Sequence, residues 1–594
     1  MPLVAAVLGI FLTVPAYAQE GVDLEPIVVQ QEEAAPFVSA VITADEIRRR
    51  ALGSPEAVLA ALGADVQARG HSGIKSDLAV NGSTFQQVLI LVNGVRVKDS
   101  QTAHHDLDLF FNIDDIERVE LIPASAAVKY GPDGVAGAVN FVLKEPAPGA
   151  AGKNRVSVAG GNDETFEARG RMNFAGLGGR HAASVAHGQS AGSRYDTDHR
   201  DETFFYSGAW GDTRTGLSLR AGYDEKEFGA YDFYTPGRGY PSKEWTNTSY
   251  WDVEGRAGGD EWSIEPRVNW RRHHDKFALN VNNLALYLNH HMTDTTRTGA
   301  TLTRRFGSWN LPLGFDYGEE RITSANLGKH VRGLWDAFLD PAFELNEHTD
   351  LAVTLRVDSY TTFGEEFTGG ATLTHRYGPD RDVYLTVGRT MRVPTFTELY
   401  YSDPTTTGNA NLKPEHAVNV EAGWHSRPAS DVAATFAVFF RREADTIDFT
   451  KLTPADAKFM ARNISRANTW GCNAFTRWQA SDALALDLRY VYANKALDDG
   501  GLLYKYGQSY LNHMVQLGFD WSFPGGAHNR CDIIMKKKPV RRAWVVVNDR
   551  FAFPLSAGWQ AFCEVYNLFN QEYQEIEGIP VQGRLFKAGL EFTW

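Results

Sequence analysis

Cysteine is scarce. Only Cys472, Cys531 and Cys563 occur in 594 residues, and no two have the C-x-x-C spacing of a zinc ribbon or a redox pair. They read as inert thiols facing lipid or lumen, and spacing alone does not decide whether two of them meet in a disulfide. Beyond residue 20 there is no run of 18 apolar residues, so no helix of this chain is expected to cross a membrane. An excess of positive charge is lacking as well. The formal net charge is −14 and the isoelectric point is about 5.7. Phosphate contacts need basic patches, so nucleic acid is excluded as a partner.

Catalytic constellations are equally sparse. Gly188-Gln-Ser190-Ala-Gly192 matches the G-x-S-x-G elbow, but that elbow needs a strand before it and a helix after it. Ser-Arg-Tyr-Asp follows here without helical periodicity, so a loop is preferred to an esterase. Histidines come in the pairs His104-His105, His273-His274 and His290-His291. Neighbours on a strand point to opposite faces, so such a pair cannot chelate one ion. Only His104-His105 falls in a plausible loop, where hydrogen-bonded imidazoles compete with transition-metal ligation. No residue stands out as an essential metal ligand, no resident cofactor is implied, and no catalysis is expected.

What is abundant is strand and turn material: 55 Gly, 23 Tyr, 14 Trp and 12% aromatics. The length exceeds one ordinary globular core. Leu3 to Val14 is apolar and Ala16-Tyr17-Ala18 is an A-x-A cleavage signal, so 1–18 is expected to be a secretory signal peptide although no Lys or Arg precedes the apolar run. About 12 apolar residues are too few to span a bilayer. Residues 19–36 are acidic and aperiodic, with the β-prone Ile27-Val28-Val29 inside them. Residues 37–146 read as a small α+β domain. Val41 to Leu62 has helical spacing broken at Gly53-Ser54-Pro55, with Thr43 ahead of Asp45 and Glu46 as a start signal. Val88-Leu-Ile-Leu-Val92, Asn93-Gly94 and Val95-Arg-Val97 spell a β-hairpin.

From 147 to 594 the pattern is alternation. Leu217, Leu219, Ala221 and Tyr223 alternate with Ser218, Arg220 and Gly222; Leu351 to Val357, Leu484 to Tyr492 and Val515 to Phe523 repeat the theme. A period of two with one apolar face is a half-buried strand. The apolar sets end in Tyr, Trp or Phe, and the polar faces carry Arg, Asp and Asn. An interfacial aromatic girdle and a wet lumen ask for that arrangement, which a water-soluble sandwich does not explain. Phe586, Ala588, Leu590, Phe592 and Trp594 read as the strand that closes the sheet. At ~20 residues per strand and connection, this stretch gives ~22 antiparallel strands of an all-β membrane barrel, a size associated with a plugged lumen.

Four segments in order and spacing give the chain a family resemblance: Val80-Asn-Gly82, Val88-Leu-Ile-Leu-Val-Asn-Gly-Val-Arg96, Ile116-Glu-Arg-Val-Glu-Leu-Ile122 and Tyr130-Gly-Pro-Asp-Gly-Val-Ala-Gly-Ala-Val-Asn140. They resemble the plug of TonB-dependent outer-membrane receptors. Val393 to Tyr400, Gly408 to Glu415 and Asn567 to Tyr573 resemble barrel segments of the same family. The resemblance implies a plug folded inside the barrel, location in the Gram-negative outer membrane, and a monomeric transporter in contact with outer-membrane lipid. It also implies a periplasmic TonB-type partner that grips Ile27, Val28 and Val29 by strand addition. Two departures stand out: the family often has Arg where Asn81 stands and Arg-Gly-Pro where Pro123-Ala-Ser125 stands, and those arginines usually pair with barrel carboxylates.

The function implied is active uptake of a bulky, scarce nutrient. The compact barrel with sparse insertions resembles cobalamin receptors, so a corrinoid leads, with a ferric siderophore or haem next. A passive porin is disfavoured by the plug and the coupling strand, and a surface enzyme or adhesin lacks a supporting constellation. The ligand is expected between the plug apex and the outer loops. On the plug the candidates are Arg69, His71, Gln101, His104 and His105, in polar loops without apolar periodicity; on the barrel they are Tyr231, Phe233, Tyr234 and Tyr400, in aromatic clusters within polar stretches. The plug loops are expected to add little to its core.

Overall fold

The computed structural model describes residues 38–594, apart from 71–72, 148–152, 213, 499–500 and 540. The signal peptide expected at 1–18, the segment 19–36 with Ile27, Val28 and Val29, and His71 lie outside the described residues. The plug is built on a five-stranded mixed sheet in the order Ala40–Thr43, Ile116–Ile122, Gly137–Leu143, Val88–Val92, Val95–Arg96. Val88–Val92 runs parallel to Gly137–Leu143 and the other pairings are antiparallel. Asn93 and Gly94 both take positive φ, +49° and +77°, a conformation that Asn and Gly tolerate and most other residues do not.

Two short helices, Ala44–Arg49 and Pro55–Ala61, lie against this sheet. Thr43 and Glu46 close a capping box on the first; Ser54 caps the second, whose Pro55 sits at the first helical position. The expected helical run from Val41 is corrected at its start. Val41 and Ile42 pair with Glu120 and Val119 as a strand, because β-branched residues beside an edge strand gain more from the ladder than from a helical turn. Val58, Leu59, Val88, Ile90, Phe110, Val119, Val139 and Phe141 form the plug core.

From Arg155 onward the chain forms a closed antiparallel barrel of 22 strands around the plug. Leu585–Thr593 closes it against Arg155–Gly161, with Leu590 opposite Val158. The alternation maps onto two environments. Leu217, Leu355, Leu488 and Leu590 are exposed on the outer wall, whereas Arg220, Asp487 and Arg489 are buried in the lumen. One end carries tight turns such as Leu177-Gly178 and Gly307-Ser308. Trp262, Trp309, Trp478 and Trp559 stand exposed near that end, as an interfacial girdle. The longer connections, 230–242, 393–414 and 567–584, gather at the opposite, outer end.

Gly188-Gln-Ser190 ends a barrel strand, no helix follows, and Ser190 donates to the Asp163 carbonyl. The elbow is thus a strand end. All three cysteines are free thiols on barrel strands.

Candidate functional site at the plug apex

Two plug segments reach the outer end of the lumen. One is the hairpin Asp65–Arg69 with Lys75–Ala79; the other is the loop that contains the 3-10 turn Ala103–His105, capped by Thr102. Facing them, strands Thr215–Gly229, Lys243–Gly258 and Trp262–Ala278 turn Lys226, Glu244, Arg271, His273 and Asp275 inward, all buried. Arg271, His273 and Asp275 share one face because strand side chains alternate. In register, Thr246 and Thr248 stand opposite Asp275 and His273, which puts Glu244 diagonal to Asp275.

Arg69, His104 and Tyr234 meet. Asp77 accepts from Arg69 Nη2 and from His104 Nδ1, each at 2.7 Å. Burial alone would raise the Asp77 carboxyl, but Arg69 and His104 hold it well below the usual carboxylate range. Burial pushes the His104 imidazole down to about 4, so the neutral ring donates Nδ1–H to Asp77. The 3.4 Å approach of Arg69 Nη1 to that nitrogen is then a contact of two donors. Phe85 stacks on His104 at 4.2 Å, and the Arg69 guanidinium lies 5.6 Å from the Tyr234 ring centroid. The Tyr234 hydroxyl donates to Glu244 at 2.7 Å.

Gln101 and His105 join the same wall. Gln101 donates to Asp275 at 3.4 Å. His105 Nδ1 lies 3.0 Å from Asp108 Oδ2, and its Nε2 lies 3.6 Å from Asp275 Oδ2. Against burial and the nearby Lys75, Asp108 and Asp275 push the His105 imidazole up to about 9. Lys75 reaches Asp108 at 3.0 Å and Glu244 at 3.8 Å, Lys226 reaches Asp108 at 3.0 Å, and Arg271 reaches Asp99 at 2.6 Å.

The remaining candidates lie apart from this cluster. Phe233 is 2% exposed and packs with Phe228, Ala230 and Ile579. Its ring presses on Gly70 (φ +73°), where an added Cβ would lie 2.6 Å away, so a side chain at Gly70 would be strained twice over. Tyr231 packs edge-on against Tyr195, and Tyr400 stacks on His330 at 3.6 Å.

The plug loops differ from expectation in one respect. Arg69, Gln101 and His105 are 3–4% exposed rather than open and dispensable, because Asp77, Asp275 and Asp108 respectively give each side chain a charged partner that offsets part of its desolvation. Sequence reasoning missed Asp77, Asp99, Asp108, Lys226, Glu244 and Asp275. The signal was there in part: Arg271, His273 and Asp275 are polar at every second position, as a lumen face requires. A separate cavity of about 1150 Å³, lined by Lys153, Arg155 and Thr593 among others, lies at the inner end beside the closing strand. It lies at the end of the barrel opposite the apex.

A buried plug inside a 22-strand barrel, latched to its wall by ion pairs, defines a gated outer-membrane receptor. The plug-domain model of the TonB-dependent receptors matches residues 31–138, and the TonB dependent receptor-like beta-barrel model matches residues 179–568. The chain belongs to the TonB-dependent receptors, a family of transporters and receptors rather than enzymes. It is similar to the Vitamin B12 transporter BtuB of Photobacterium profundum, 23% identical over 93% of this chain and 92% of that protein. The Vitamin B12 transporter BtuB of Vibrio cholerae is 20% identical over the same shares. In fold it is similar to the Copper transporter OprC (TM-score 0.79, 17% identity, 96% of this chain and 100% of that one). The siderophore receptor PirA from Pseudomonas aeruginosa has a TM-score of 0.76 at 15% identity, covering 95% and 100%.

Proposed function

We propose that this receptor captures a corrinoid at the outer end of the lumen and passes it inward when a periplasmic TonB-type protein pulls on Ile27-Val28-Val29. In this reading 1–18 is the leader, 19–36 the periplasmic segment, 37–146 the plug and 147–594 the barrel. The observation that carries it is the similarity to vitamin B12 transporters over 93% of this chain. The apex chemistry is compatible with it. Arg69, His104 and Tyr234 offer a guanidinium, an imidazole and a ring beside one another, and Gln101 adds an amide. Such groups hydrogen-bond the amide fringe of a large, flat ligand while the aromatics supply contact area. His71, Tyr231 and Tyr400 remain part of the proposed surface, and Phe233 supports it from beneath.

The test is a titration of the purified receptor with cyanocobalamin, a ferric siderophore and haem in parallel, read by tryptophan fluorescence. Saturation by cyanocobalamin alone is expected. Replacing His104 and Tyr234 together by Ala should weaken binding by about 1–3 kcal/mol, the cost of lost buried hydrogen bonds. Saturation by the iron chelate or haem instead would replace the corrinoid reading.

A further inference from the structure

Three donor atoms converge where the plug meets the wall. His105, Glu244 and Asp275 each present one, all lie within 4.8 Å of one another, and all three residues are buried. We propose that these residues bind a divalent first-row transition-metal ion of the zinc class, which bridges the plug to the barrel.

The groups around the three are arranged as supports. Asp108 Oδ2 lies 3.0 Å from His105 Nδ1, the carboxylate–histidine–metal arrangement that fixes the ring and aims Nε2 at the ion. The Tyr234 hydroxyl holds Glu244 Oε2, and the Gln101 amide reaches Asp275 Oδ2. Two buried oxygens there have no hydrogen-bond partner, Asp275 Oδ1 and Gln101 Oε1, although their residues are 5% and 4% exposed. Buried polar atoms are rarely left so.

Charge points the same way. Asp108, Asp224, Glu244 and Asp275 are four carboxylates, and the ammonium groups that touch them are Lys75 and Lys226. With His105 neutral, as ligation requires, the group is two positive charges short, and one divalent ion supplies both. His105, Asp108 and His273 also lie within reach of one another. On that side, however, the Lys75 ammonium stands 2.6 Å from His105 Nδ1 and 3.0 Å from Asp108, where it serves as the cation itself. The Nε2 side is the one suited to metal. One imidazole with two carboxylates suits zinc or manganese, not the soft ions that thiolates select nor the oxygen-only shell of calcium. Plug and barrel both contribute ligands, so the ion adds to the hold that energised pulling must break.

The inference stands whatever the cargo. Full-length receptor in detergent, stripped with a chelator and free of corrinoid, is titrated with zinc against a chromogenic zinc indicator. One ion per chain is expected. His105→Ala and Glu244→Gln should each weaken binding by about tenfold or more, and His348→Ala, on an exposed turn, should leave it unchanged. Asp275→Asn keeps shape and volume, and heat-modifiable mobility verifies that each variant is folded. In the cobalt-loaded protein, Glu244→Gln should alter the visible ligand-field bands. No stoichiometric binding, or binding that survives all three substitutions, overturns the proposal. A receptor that binds zinc but fails to bind cyanocobalamin in its own titration sinks only the corrinoid reading; one that binds cyanocobalamin but no zinc sinks only this one.

Discussion

Asp114 illustrates what one carboxylate does inside this lumen. It is a plug residue, buried, and lies 2.9 Å from Arg155 and 3.1 Å from Arg169 on the barrel. Burial alone would raise its carboxyl, but the two guanidinium groups overcome that and hold it at about 2. A carboxylate depressed in the folded state stabilises that state above the unfolded value of 3.8. The contribution is lost as pH falls from there through 2, and it amounts to about 2 kcal/mol. Removing the charge takes a partner from two half-buried cations, of which Arg155 keeps Glu591, so Asp114→Asn should cost about 2 kcal/mol at pH 7. Urea unfolding of both proteins at pH 7, 4 and 2 checks this: the gap should be full at pH 7 and shrink between 4 and 2. A gap that stays constant would refute the electrostatic account. None of these partners was legible in the sequence. Alternation tells that Arg155, Arg169 and Arg171 face inward, but not which plug residue arrives opposite, because that depends on how the plug seats.

At the scale of elements the chain was far more transparent. Period-two apolarity marked the strands around Leu217, Leu355 and Leu488, and Asn93-Gly94 marked a hairpin whose positive φ values follow from those two residues. Where the reading failed, at Val41 and Ile42, a few β-branched residues fitted both periods and a neighbouring strand decided. The site was half legible for a related reason. Polar loops after strong elements pointed to Arg69, Gln101, His104 and His105, which gather at the plug apex, while the height of each wall residue in the barrel set which aromatics they met, so Tyr234 joined them and Tyr400 stacked elsewhere. Ile27-Val28-Val29 is the element on which coupling should turn. Strand addition uses main-chain N–H groups, and proline lacks one, so Val28→Pro should abolish energised uptake and leave binding to the purified receptor intact. Transport in cells compared with binding in detergent separates the two. Uptake that continues in the variant would remove the coupling role.

As a whole, the molecule is a plug rich in buried carboxylates seated in a wall rich in buried cations. Asp65 faces Lys538, Asp99 faces Arg271, Asp108 faces Lys226, Asp114 faces Arg155 and Asp115 faces Arg171. The family resemblance leads one to expect plug arginines on barrel carboxylates. Here Asn81 accepts from Asn473, and Ser125 donates to the Asn419 carbonyl. Two wall carboxylates are held by the wall itself: Glu415 by Arg392 and Glu443 by Lys495. Among the described residues, then, these five pairs have the opposite polarity, while Lys75 on Glu244 keeps the expected one. Breaking one partner of a buried pair is costly because the other charge stays behind, whereas reversing both keeps the attraction. The double variant Asp99→Asn with Asp115→Asn should therefore loosen the plug without touching a proposed ligand-binding or coupling residue. In planar bilayers the wild-type receptor should conduct only once urea displaces the plug, and the double variant should open at a lower urea concentration. Arg271→Asp combined with Asp99→Arg should move the threshold back toward wild type relative to Arg271→Asp alone. Raising salt should shift these thresholds little, since buried pairs are poorly screened. An unchanged threshold in the double variant would mean that apolar packing of the plug core, not this inverted set of charges, keeps the lumen shut.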